Sequence, residues 1–216
     1  MFARRLTRIG CALALAVATT VAAAPLADAH TKGAHTPGTS SLAALLAKDG
    51  AGFDRNWNDF DIADNAVQAV LKAKPDSPVA VLADGKVALT AFLPTDQAFR
   101  RLATDLTGKK YRSESTVFST LAGQLGVDTI EAVLLYHVVP GATVTYKQAL
   151  RSDGAVLTTA LSGSTIKVDV VRCVFVKLID ADKNDANPYV VKANLNKGNL
   201  QIAHGIDRVL RPVDLP

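Results

Sequence analysis

The chain has 216 residues, with 24 Lys or Arg against 20 Asp or Glu, a formal net charge of +4 at pH 7, and two cysteines. Its densest basic cluster is Lys109, Lys110 and Arg112, and no basic stripe carries interleaved aromatics, so the composition speaks against a nucleic-acid partner. Two cysteines also exclude a scaffold held by several disulfides.

The N-terminal stretch reads as a targeting segment. Arg4, Arg5 and Arg8 precede an alanine-rich apolar run from Ile9 to about Ala24, and Ala27-Asp28-Ala29 has the small-x-small form that a signal peptidase accepts. Residues 1–29 are expected to be a signal peptide cut between Ala29 and His30, giving a secreted, extracellular product. The run approaches the roughly 20 residues of a membrane anchor, but it is mostly alanine and a cleavage site follows it. No second apolar run is long enough to span a bilayer, so no transmembrane segment is expected in the mature chain. Cleavage removes Cys11 and brings the net charge to +2. Cys173 then stands alone, and within "VRCVFVKL" it is expected to be a small buried apolar residue.

Residues 30–40, "HTKGAHTPGTS", are small, polar and broken by Gly and Pro, as a flexible leader would be. Ser41 can cap a short helix through Lys48, stopped by Gly50, and a connector, "FDRNWNDFD", completes a segment over 41–59. The main domain is expected over 60–216. Ile62, Ala66, Ala69 and Val70 recur at helical spacing up to Pro75. "KVALTAFLP" is too short for a helix and reads as a buried strand. Thr95 or Asp96 caps a helix whose apolar face holds Phe99, Leu102, Ala103 and Leu106. A further helix is expected over 114–125, and Asp128, with Glu131 as capping-box partner, opens the one that runs into "LLYHVVPG" at 134–141. After Pro140 β-branched residues dominate. A turn at Ser162-Gly163-Ser164, alternation through Ile166, Val168 and Val170, and the runs "PYVVKANL", "GNLQIAHGID" and "RVLRP" predict short strands. Helices crowd the first half and strands the second, so the fold class is α+β.

His137 falls on the buried face of its helix, three residues beyond Leu134, and a buried imidazole needs hydrogen-bond partners. The spacing predicts a core histidine that pins the helix end, with His137→Ala costing on the order of 1–3 kcal/mol. Catalysis would need a nucleophile beside it, and no Gly-x-Ser-x-Gly elbow is present. His30, His35, His137 and His204 form no His-x-x-x-His pair, there is no Cys-x-x-Cys, and neither metal nor cofactor is expected. "DADKND" at 180–185 spaces Asp180, Asp182 and Asn184 like a calcium loop. It has Asp185 and Val191 where an EF-hand needs Gly and Glu, so a solvated acidic turn is expected.

Three segments together resemble the fasciclin domain family. "TAFLPTDQAF" at 90–99, with Pro94, Thr95, Asp96 and Phe99, is similar to its first block. "LLYHVVPG", with Tyr136, His137, Pro140 and Gly141, is similar to its central block. "IAHGIDRVLRP" at 202–212, with His204 and Asp207, is similar to its closing block. The resemblance implies a β-sandwich wedge with several packed helices, used outside the cell for adhesion and protein contact without catalysis. It implies an adhesive role for Tyr136 and His137 and structural roles for Asp96 and Asp207. The expected partner is an extracellular protein or cell-envelope component of a bacterium, with self-association open. Gly198 lies six residues before His204, where the family keeps Asn-Gly close to the histidine, so that turn is expected to be rebuilt. The alternative from another class is a secreted hydrolase or metal-dependent enzyme using His137 or His204.

Overall fold

The computed structural model describes residues 36–50 and 52–215. The expected signal peptide at 1–29 and residues 30–35, with His30 and His35, lie outside the described residues. Pro37–Pro216 forms one compact unit.

The sequence expectations for the helical half hold closely. Helix α1 (Leu42–Leu46) is capped by Ser41, whose hydroxyl accepts from Ala44 N at 3.1 Å. Helix α2 (Asp61–Ala73) buries Ile62, Ala66, Val67 and Val70, the face its 3.6-residue period predicts. A 3-10 turn, Pro78–Ala83, was not visible in the periodicity; Ser77 caps it and Pro78 starts it. Strand β1 (Leu89–Pro94) is buried throughout, and Thr95 caps α3 (Asp96–Thr107) by accepting from Ala98 N at 3.3 Å. Gly108 ends α3 at φ 69°. Helix α4 (Glu114–Tyr136) is broken at Gly126, whose φ of 73° and ψ of 164° suit only glycine, so the two helices expected here meet at that residue. Glu131 does not form the expected capping box. Its carboxylate takes the Ser77 hydroxyl at 2.5 Å and the Lys74 ammonium instead, while Asp128 pairs with Lys74 at 2.5 Å.

After α4 come β2 (Val138–Pro140), α5 (Tyr146–Ala149), β3 (Val156–Thr158), β4 (Thr165–Val171), β5 (Phe175–Ile179), β6 (Val190–Leu195) and β7 (Gln201–Ile206). They form two sheets ordered β2-β1-β7-β6 and β3-β4-β5. The central pair, β1 and β7, runs parallel with Leu89 opposite Gln201 and Pro94 opposite Ile206, and all twelve residues are buried. Ile166, Val168, Val176 and Leu178 of the second sheet pack with Phe92, Val139 and Ile206 of the first. Among the described residues, no helix is long and apolar enough to cross a membrane.

Three further expectations about local structure need correction. Cys173 is exposed, not buried: β4 and β5 are a hairpin with Val171 opposite Phe175, and Arg172 and Cys173 form its turn at φ 53° and 60°. The apolar run "VRCVFVKL" hid that turn because it contains no glycine. "RVLRP" is not a strand: past Asp207, whose N–H still donates to Tyr189 O, Leu210 N and Arg211 N donate to the His137 and Asp180 side chains. Val138–Pro140 is strand β2 and not the end of the helix that runs into "LLYHVVPG", since His137 closes α4 and Val138 already pairs with Ala91. The β6–β7 connection is a turn through Asn196 and Gly198, at φ 60° and 94°. It receives the N-terminal segment: Gly38 N donates to Gly198 O at 2.7 Å, and Leu42 N to the Gln201 side chain at 2.8 Å.

Candidate functional site

The Tyr136–His137 pair sits where α4 ends and both sheets converge. Tyr136 is fully buried and its ring joins the core between the sheets. Its hydroxyl donates to Thr165 O at 2.9 Å and accepts from Ala181 N at 3.1 Å, so one side chain ties α4 to β4 and to the loop after β5. Burial, with the Asp180 carboxylate as a lesser cause, pushes the phenol up to about 12. Tyr136→Phe leaves a buried carbonyl and N–H without their partner, and is expected to cost about 1–3 kcal/mol. An unchanged urea midpoint would contradict that.

His137 is 4% exposed. Its Nε2 accepts from Leu210 N at 3.0 Å, so the ring proton is on Nδ1, which donates to Val133 O at 2.7 Å. Its own carbonyl accepts from Phe92 N at 2.9 Å. Burial pushes the imidazole down to about 4, so the ring is neutral at pH 7. His204, 1% exposed on β7, carries the opposite tautomer: Nδ1 accepts from Asn194 N at 3.2 Å and Nε2 donates to Val144 O at 2.9 Å. Burial also lowers its pKa. In both rings each nitrogen is committed to backbone, which leaves neither a lone pair nor an N–H for a substrate. His204 stacks loosely between Phe92 and Tyr146, with ring centroids 6.1 and 6.3 Å away.

The other residues singled out in the sequence take structural positions. Asp96 caps the start of α2, accepting from Ile62 N at 2.9 Å and Asp61 N at 3.2 Å. Asp207 accepts from Tyr189 N at 2.7 Å and pairs with Arg101 at 3.1 Å. Phe99 packs into the core between α2, α3 and α4, and Pro94 closes β1 opposite Ile206. Pro140 and Gly141 are exposed, and Gly141, at φ 83°, donates to Ala88 O at 2.9 Å.

Arg211 was missed. It is 8% exposed, with Nη2 at 3.0 Å from Asp105, Nη1 in contact with Asp185 and 3.6 Å from Asp182, and its backbone N donating to Asp180 Oδ2 at 2.9 Å. The 180–185 segment is therefore not a solvated turn but a carboxylate wrap around one guanidinium, with Asp182 2% exposed. Burial, with Asp182 adding to it, pushes Asp180 up to about 6 against the pull of its Arg211 hydrogen bond. No local signal marks Arg211, because its partners lie in segments remote in sequence.

A search among curated proteins finds no match. A solved structure, a FAS1 domain pair from the insect cell adhesion molecule fasciclin I, is similar at 15% identity with a TM-score of 0.52 over 81% of this chain. The chain spans 51% of that solved chain, and at this identity the likeness shows the fold. The Fasciclin domain profile matches residues 64–212, from within α2 to just past Arg211, and therefore takes in all three motif blocks. The chain belongs to the fasciclin domain family.

Proposed function

We propose that this protein is an exported binding module that acts by contact with an extracellular protein or cell-envelope component, without catalysis. The observation that carries the reading is the fasciclin domain over residues 64–212, since that family consists in general of adhesion and protein-interaction modules. The committed nitrogens of His137 and His204 support the non-catalytic part. Export follows from the expected cleavage between Ala29 and His30.

The adhesive role of Tyr136 and His137 is indirect. Their side chains are buried, and the chain reaches the surface at residues 140–142, directly after the core they anchor. Thr90 Oγ1 steadies that segment by donating to Ala142 O at 2.7 Å. A partner meets the exposed turn, whose shape the buried pair sets.

Saturable binding of the purified exported protein to its producer's envelope, and to itself, tests this. Wild type is compared with Ala142→Glu, which adds charge and bulk to the exposed turn while leaving the core intact. Binding lost in a normally folded Ala142→Glu is the expected result. Equal binding in both moves the contact surface elsewhere, and no binding by wild type contradicts the module reading.

A further inference from the structure

Three helices begin at one point. Asp61, Asp96 and Glu114 are the first residues of α2, α3 and α4. The connector before α2 adds Asp59, whose backbone carbonyl accepts from Asp96 N at 3.1 Å. Oxygens of Asp59, Asp96 and Glu114 all lie within 4.8 Å of one another, as do those of Asp54, Asp59 and Asp61. Helix N-termini favour negative charge, which accounts for each carboxylate singly. It does not account for the oxygens left over. Asp59 is 6% exposed with both carboxylate oxygens unpartnered, and Glu114 is fully buried with Oε1 unpartnered while Oε2 accepts from Asp54 N at 2.7 Å. Among the described residues, no Lys or Arg forms an ion pair with Asp59, Asp96 or Glu114.

We propose that Asp59, Asp96 and Glu114 hold one calcium ion at this junction, with Asp54 and Asp61 at its rim. Calcium takes six to eight oxygens at roughly 2.3–2.6 Å, so its ligands stand no more than about 5 Å apart, a limit that the oxygens here meet. Its flexible coordination tolerates a cage built largely of carboxylates. Magnesium wants a strict octahedron and keeps its waters, which suits this buried site less well. In a chain whose mature part has a single cysteine, the ion serves as the staple, tying the connector to the starts of α2, α3 and α4. The proposal does not depend on the binding-module reading.

The rival account is a shared proton. Burial first, and the adjoining Asp59 carboxyl second, push Asp96 up to about 8. A hydrogen bond between the two carboxyls exists only while one of them is protonated.

The purified protein, stripped with chelator, is titrated with CaCl2 in a calorimeter, and its thermal unfolding is followed in EDTA, CaCl2 and MgCl2. The expected result is one calcium per chain and a Tm raised by about 5 °C or more at hundredfold excess over Kd. Asp59→Asn and Glu114→Gln should lose that response. In EDTA they should unfold no earlier than wild type, because each removes an unpaired buried charge. Identical wild-type unfolding in EDTA and CaCl2, with no titration heat, overturns the site whether or not the variants fold. A calcium shift retained in both variants also overturns it, and a response to magnesium without one to calcium overturns the choice of ion.

Discussion

His137→Ala is expected to lower stability at pH 7 by about 2–4 kcal/mol, since it opens a cavity and leaves the Leu210 N–H and Val133 carbonyl without the imidazole. The same substitution should change the pH dependence. The folded pKa of about 4 lies below the unfolded value of 6.5, so only the unfolded state takes a proton between them. Wild type therefore loses stability as pH falls through that window, by about 3 kcal/mol in total. The alanine variant lacks this loss, so the two proteins converge toward pH 4. Urea midpoints at pH 7, 5.5 and 4 check both parts. A gap that stays constant with pH would contradict a buried neutral imidazole. His204 titrates in both proteins and cancels from the comparison.

The second large effect is expected at Arg211. Arg211→Met removes the guanidinium shared by Asp105, Asp182 and Asp185, leaves the almost fully buried Asp182 without its cation, and leaves Asp105 only Arg208 at 3.9 Å. Breaking a buried pair from one side typically costs about 3–5 kcal/mol, and that is the loss expected at pH 7. Urea unfolding at pH 7 tests this; a loss under about 1 kcal/mol would show that solvent replaces the guanidinium.

How far the sequence could be read follows from where the partners of each group lie. Helix α3 was legible because its cap, apolar face and stop are local, with Thr95 before Phe99 and Leu102 and Gly108 after Thr107, and α2 was legible through its apolar face, its cap coming from Asp96. The buried alternation of Ile166 and Val168 was legible for the same reason. Strand β2 was not, because three residues after a helix show no period and only pairing with β1 makes them a strand. Tyr136 and His137 stood out as polar residues in an apolar run. Their partners did not, since Thr165, Ala181 and Leu210 answer through backbone groups that any residue carries. The acidic junction was invisible for a third reason. Asp59, Asp96 and Glu114 are ordinary helix-start or connector residues until tertiary packing brings them together.

His137 holds the fold and is not available for chemistry, since both of its ring nitrogens are bonded to backbone. The most direct test is a pH titration of its ring nitrogens by NMR. The structure predicts a neutral ring with the proton on Nδ1, unchanged from pH 8 until close to pH 4. Protonation near pH 6.5, or a proton on Nε2 at neutral pH, would mean a ring free to exchange with solvent and would contradict the account.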